Sequence, residues 1–122
     1  MLSGLGVDRD ATESPIPHWR RAKGRGDDFI RTMPHAFADL EDSERLRPTI
    51  ICPGALHDDE QQPTGVRLVE PDGKNQDEPR TSRANVAATL VACLDEPATV
   101  GQTIGVVDGD TPAADSLRGW SS

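Results

Sequence analysis

Apolar residues along this chain fall in short, separated runs, and most runs are bounded by proline or glycine. The run TIIC at 49–52 is β-branched and sits between Pro48 and Pro53, the mark of a buried strand flanked by breakers. QTIGVV at 102–107 predicts a second strand, and the turn residues DGDTP at 108–112 lead through Pro112 into a short last helix. Between the two strands, Ser82 is placed to cap a helix over about 83–95, where Val86, Leu90, Val91 and Leu94 recur at helical spacing and Pro97 follows.

The front of the chain is patterned more weakly. Residues 1–6, MLSGLG, read as the end of a strand running into a glycine-containing loop. Pro15 and Pro17 disfavour helix until Pro17 can serve in a first turn, so a helix over about 17–32 is predicted, with Trp19, Ala22, Phe29 and Ile30 as its apolar face. Gly24 and Gly26 should each weaken it by ~1 kcal/mol relative to alanine. AFADLEDSERL within 34–47 adds at most a short helical turn. Residues 57–80 read as a long exposed loop in which only VRLV at 66–69 resembles a brief strand. Strand, helix, strand, helix over 122 residues predicts one α/β domain.

Composition limits what that domain can bury. Aromatics are 3% of the chain, there is no tyrosine, and Gly and Pro together fill 21 positions, so the core must be small and loops must be many. The net charge of −8 repels nucleic-acid phosphates and anionic lipid surfaces, which excludes both as expected partners. Cys52 and Cys93 are 41 residues apart in apolar runs, without the paired spacing of a zinc site or a signal peptide, and are read as reduced, small buried hydrophobes. No apolar stretch approaches the ~20 residues that span a bilayer. A cytoplasmic protein is expected. His18, His35 and His57 are scattered, and Asp58, Asp59 and Glu60 have no partner at a metal-binding spacing, so no metal site is expected.

Two stretches carry a family signal. RPTIICPGALHDDE at 47–60 and TSRANVAATLVACLDEPATVGQTIGVVDGDTP at 81–112 resemble the atypical short-chain dehydrogenase/reductase group, comprising NAD(P)H-binding, NmrA-like and sugar-epimerase-like proteins. The resemblance implies an α/β fold, the C-terminal portion of a Rossmann-type doubly wound parallel sheet, with NAD or NADP as cofactor. Family members open with a strand, a Gly-rich turn and a helix that hold the pyrophosphate. GLG at 4–6 and GRG at 24–26 do not make that G-x-G-x-x-G motif, and the N-terminal dinucleotide-binding half is expected to be missing.

Several residues inherit expectations from the resemblance. HWRRAK at 18–23 occupies the place of the family's Tyr-x-x-x-Lys pair, in which residues one turn apart let the lysine bind ribose hydroxyls and lower the phenol's pKa. Lys23 matches the lysine and is expected to contact ribose. Trp19 replaces the tyrosine, and an indole N–H cannot act as acid or base at neutral pH. Ser3 aligns with the serine that polarises a substrate group. TIICPGAL matches T-I-x-R-P-G-x-L, whose Pro-Gly backbone passes close to the nicotinamide, which makes Pro53 and Gly54 expected cofactor contacts, while Cys52 stands where the family has arginine. SRANVA at 82–87 resembles S-R-x-D-V-A, with Asn85 in place of aspartate, Ser82 as cap and Arg83 as an anchor for a neighbouring carboxylate or loop. GDTP at 109–112 is a family turn without chemistry of its own.

These features predict a truncated or split member of an NAD(P)-binding oxidoreductase or epimerase-like family without independent catalysis, its open sheet completed by a complementary N-terminal half or by a second copy of the chain. The alternatives are a non-catalytic NmrA-like sensor or subunit completed by another polypeptide, and a gene remnant.

Overall fold

The computed structural model describes residues 1–6, 17–32 and 47–120. The expectations for Pro15, for His35 and for a helical turn within 34–47 lie outside these residues, as do the side chains of His18 and Trp19. The elements are α1 (Pro17–Thr32), β1 (Ile50–Pro53), β2 (Ala55–His57), β3 (Val66–Val69), β4 (Arg80–Ser82), α2 (Arg83–Cys93), a 3-10 turn at Pro97–Thr99, β5 (Thr103–Asp108) and α3 (Ala113–Arg118).

The main sheet runs β1-β5-β3. β1 and β5 pair in parallel, Ile51 opposite Ile104, and β3 pairs antiparallel on the far side of β5, Val66 opposite Asp108. Residues 1–5 extend the sheet beyond β1. Ile51 N–H donates to Met1 O at 2.8 Å, Ser3 N–H to Ile51 O at 2.7 Å and Leu5 N–H to Pro53 O at 2.9 Å, a parallel ladder that bears out the reading of this segment as a strand end. A second, two-stranded parallel sheet, β2-β4, sits at the carboxyl end of β1 with Gly54 alone between β1 and β2.

Both faces of the main sheet are covered, as parallel strands with crossover helices require. On one face Ile51, Val66, Ile104 and Val106 pack with Ala113 and Leu117 of α3, and Ala88, Leu90, Ala92 and Cys93 of α2 close over them. On the other, Leu5, Ile50, Cys52, Val69 and Val107 form a second cluster against Ile30 of α1. The alternation within β1 explains why TIIC is apolar throughout: Ile51 serves one face, Ile50 and Cys52 the other.

The structure revises four details of the sequence reading. VRLV is not a brief strand in an exposed loop but a full member of the main sheet, with Val66 and Val69 buried. The strands β2 and β4, three residues each, were not anticipated at all. The apolar face of α2 is rotated from the expected one: Val86 is buried, but so are Asn85 and Thr89, while Val91 and Leu94 are 63% and 84% exposed. In α1, Phe29 is 66% exposed, and among the described side chains of the helix the buried one is Asp27. In both helices a polar residue has a partner inside that apolar periodicity cannot register.

Helix termini follow local chemistry. Ser82 is the N-cap of α2, its Oγ accepting from Asn85 N–H at 3.0 Å. Glu96 caps the 3-10 turn, and Pro112 opens α3 without a side-chain cap.

Candidate functional site

At the carboxyl ends of segment 1–5 and β1 lies a cleft of about 480 Å³. Its walls are Ser3 and Leu5, the turn carrying Pro53 and Gly54, Ala55 and Leu56 of β2, Arg20 of α1, and Glu78 and Pro79. Strand ends that feed a crevice are where open α/β sheets take ligands, and the volume suits a small organic molecule or one end of a dinucleotide.

Three of the four expected site residues meet in this cleft: Ser3, Pro53 and Gly54. Each is placed by something the motif did not disclose. Ser3 is buried, and its hydroxyl donates to Asp27 Oδ2 at 2.5 Å. That bond commits the proton, so Ser3 presents acceptor lone pairs rather than a donor to anything beside it. Asp27 is itself 1% exposed, its Oδ1 has no partner, and Arg31 of the next turn stands 3.9 Å from Oδ2.

Gly54 does serve a close backbone approach, but the backbone that approaches is the protein's own. A Cβ at 54 would lie 2.4 Å from Pro79 O and 2.9 Å from Arg80 N. Its N–H donates to Thr81 Oγ1 at 2.9 Å, and Thr81 in turn donates to Val106 O at 2.8 Å, so one buried hydroxyl ties the two sheets together beneath the cleft.

Lys23 is not among the cleft's walls. Its Nζ donates to Leu2 O at 3.3 Å on the side of segment 1–5 that has no neighbouring strand among the described residues. Trp19 lies one turn earlier on α1. The cation that the structure puts in the cleft is Arg20, which sequence reasoning passed over because the family motif assigns its position no role.

Cys52 occupies the arginine's place as a 1% exposed side chain beneath Ser3 and Asp27. Burial and the nearby Asp27 carboxylate push its thiol up to about 11, outweighing Arg31 and the Ser3 bond. It is an inert thiol, in keeping with the reading from its apolar run. The Cys93 thiol, half-buried, is also raised, again by burial first.

Behind the cleft is a second polar cluster, centred on Asp108 at the end of β5. Asp108 Oδ1 accepts from Ser82 N–H at 2.8 Å and from Asn85 Nδ2 at 2.9 Å, and Oδ2 is 2.5 Å from His57 Nε2. His57 Nδ1 accepts from Asp59 N–H at 3.2 Å, so the ring donates to Asp108 through Nε2. Burial pushes the Asp108 carboxyl up, but bonds from Asn85, Ser82 and His57 and the charge of the ring together bring it below the ordinary carboxylate range. Asn85 completes the arrangement: its Oδ1 accepts from Thr64 N–H and Gly65 N–H at 3.0 and 3.1 Å. The asparagine at this helix start is therefore a bridge between α2, β5 and the chain entering β3. Outside the cluster, Arg83 pairs with Asp58 at 2.7 Å, the expected carboxylate anchor, and Arg80 with Asp59 at 2.9 Å.

Among the described residues, no group of three or more His, Cys, Asp or Glu could hold a metal ion. No described helix is long and apolar enough to cross a membrane. As for a cofactor, the cleft can take one end of a dinucleotide, while the described residues contain no glycine-rich turn opening a helix to cradle its phosphates.

An α/β sheet covered on both faces, with a cleft at its strand ends, defines a protein of the Rossmann-like NAD-binding class. Residues 1–97 match the model of the family described as NAD(P)H-binding, and the chain belongs to that family. Among solved structures, it is similar to a candidate NAD-dependent epimerase/dehydratase from Bacillus halodurans, with 25% identity and a TM-score of 0.76 over 98% of this chain and 50% of that one. The oxidoreductase ylbE from Lactococcus lactis matches at 18% identity and a TM-score of 0.71, over 96% of this chain and 48% of that one. A candidate NADH-flavin reductase from Streptococcus pneumoniae matches at 17% identity and a TM-score of 0.64, over 88% and 54%. The chain thus spans about half the length of the structures it resembles. No curated protein matches it.

Proposed function

We propose that residues 1–122 form the substrate-side portion of an NAD(P)-dependent oxidoreductase or epimerase-like domain, and that these residues alone neither hold the dinucleotide tightly nor turn over a substrate. The observation that carries the reading is the pairing of segment 1–5. One edge is hydrogen-bonded to β1, and the other, with Lys23 against Leu2 O, has no strand beside it among the described residues. A parallel sheet continued along that edge would carry the glycine-rich turn of its first strand beyond the adjoining strand, placing the pyrophosphate there and leaving the cleft for the reacting end. That unit would come from residues outside 1–122, whether joined to this chain, on a complementary polypeptide or on a second copy.

The test is a fluorescence titration of the purified 122-residue chain with NADPH and with NADH. The expected outcome is no saturation at micromolar concentrations, and saturable micromolar binding by the monomer would overturn the proposal. Trp19 favours a second reading, a non-catalytic NmrA-like sensor or subunit completed by another polypeptide, because the residue in the tyrosine's place cannot exchange a proton. The two readings part once the nucleotide portion is supplied: an oxidoreductase would then consume NAD(P)H with a carbonyl substrate, a sensor would bind it without turnover.

A further inference from the structure

The cleft contains a cation whose bonding is incomplete. Arg20 reaches from α1 to its wall, yet the contact made by its guanidinium is a long one, 3.4 Å from NH1 to Gly6 O. Its Nε is buried without a hydrogen-bond partner. Among the described residues no carboxylate stands within ion-pair distance of it, unlike Arg31, Arg80, Arg83 and Arg118. Gly6, at φ +69°, leaves the space the guanidinium uses, since a Cβ there would lie 2.5 Å from NH1.

A buried N–H without a partner is unfavourable and is ordinarily satisfied by protein, water or ligand. The guanidinium offers a planar fork of donors that fits a carboxylate through two parallel bonds. The opposite charge in the cleft is Glu78, exposed and held at φ 45°, which repels an anion from its own wall and leaves the Arg20 side as the anion's seat. Ser3, its proton committed to Asp27, offers an acceptor on the same surface and so favours a ligand that also carries a hydroxyl.

We propose that this cleft selects a small organic acid, its carboxylate held by Arg20 and a hydroxyl group facing Ser3. The inference rests on the reading of the cleft as the substrate end, and concerns binding alone, so it can be tested without cofactor or turnover. The probes are lactate, the neutral lactamide and inorganic phosphate, each titrated into the ¹⁵N-labelled chain. The readouts are the Arg20 Nε–H resonance and the backbone amides of Gly4, Gly54 and Ala55.

Lactate is expected to shift these signals saturably, lactamide to bind at least tenfold more weakly, and Arg20→Gln to lose the response while Arg20→Lys keeps part of it. The lactate–lactamide comparison needs no variant, so the test survives a substitution that fails to fold. The proposal is overturned if lactate produces no saturable shift, if lactamide matches it, or if Arg20→Gln binds lactate unchanged. Phosphate binding more tightly than lactate would also overturn it and reassign Arg20 to a phosphate group. Micromolar NADPH binding would refute the half-site reading and leave this result standing.

Discussion

Removal of the Asn85 side chain should cost this protein a large share of its stability. Asn85 is fully buried, and its amide makes four hydrogen bonds: from Thr64 N–H and Gly65 N–H to Oδ1, and from Nδ2 to Thr64 Oγ1 and Asp108 Oδ1. Alanine strands two backbone donors and takes one donor from a carboxylate. A buried group left unpaired costs ~1–3 kcal/mol and a bond to a charged partner is worth ~1.5–3. Water can reach the exposed Thr64 and the half-buried Asp108, so Asn85→Ala should lose about 3–5 kcal/mol of the ~5–15 available to a small domain. Urea unfolding followed by circular dichroism should show a lower midpoint at unchanged slope. A loss under ~0.5 kcal/mol, the size typical of an ordinary surface substitution, would refute the bridging role.

Asn85→Asp separates hydrogen bonding from charge at the same site. The aspartate keeps acceptors for Thr64 and Gly65 but turns the donor to Asp108 into a second carboxylate oxygen at about the same separation as the 2.9 Å bond it replaces. Two such groups cannot both ionise cheaply, and one is held protonated to higher pH than in the unfolded chain. A raised folded pKa gives stability that is complete below the unfolded value and is lost as pH rises through the folded one. Asn85→Asp should therefore be closest to the parent at or below about pH 4 and fall progressively behind as pH rises towards about 8. In the parent the sign is opposite: Asp108 is depressed, so its contribution is present above the unfolded carboxylate range of ~4 and disappears as pH falls through the lower folded value. Parallel pH dependences for the two proteins would sink the electrostatic account.

Two further outcomes follow from the geometry. Gly54→Ala puts a methyl 2.4 Å from Pro79 O, so β4 must move or the turn must deform, at a cost of about 1–3 kcal/mol; an unchanged Tm in calorimetry would mean the approach is softer than it looks. Thiol labelling with iodoacetamide at pH 8 in the absence of denaturant should modify Cys93 well before Cys52, because a thiol at about 11 is only about 0.1% thiolate there and is covered as well, and mass mapping that found Cys52 labelled first would contradict its burial.

What the residue pattern discloses and what it hides have a common cause. Strands β1 and β5 were legible because both faces are buried, which makes their sequences apolar without interruption, and α2 was legible because Ser82 caps it. The direction in which α2 faces was not, since beside Val86 its buried face is held by Asn85 and Thr89, while Val91 and Leu94 point to solvent. Asp27 was hidden in the same way: nothing in PHWRRAKGRGDDFIRT sets it apart from Asp28, and its partner, Ser3, lies 24 residues away. Pairings of that kind depend on tertiary distance, which no local period reports.

The same limit shaped the reading of the site. Family motifs point to Ser3, Pro53 and Gly54, which line the cleft together, yet Ser3 and Gly54 are satisfied by this chain's own atoms: Ser3 by Asp27, Gly54 by Pro79 and Thr81. Arg20, which no motif marks, is the cleft side chain left with a buried donor unsatisfied. A preorganised scaffold keeps its positioning residues bonded internally and leaves incomplete the groups that meet the ligand. On that argument the substitutions at Cys52 and Asn85 belong to the scaffold, since one is a buried inert thiol and the other a fully bonded bridge, and ligand preference should follow the cleft's charges, Arg20 and Glu78, more closely than the residues by which the family is recognised.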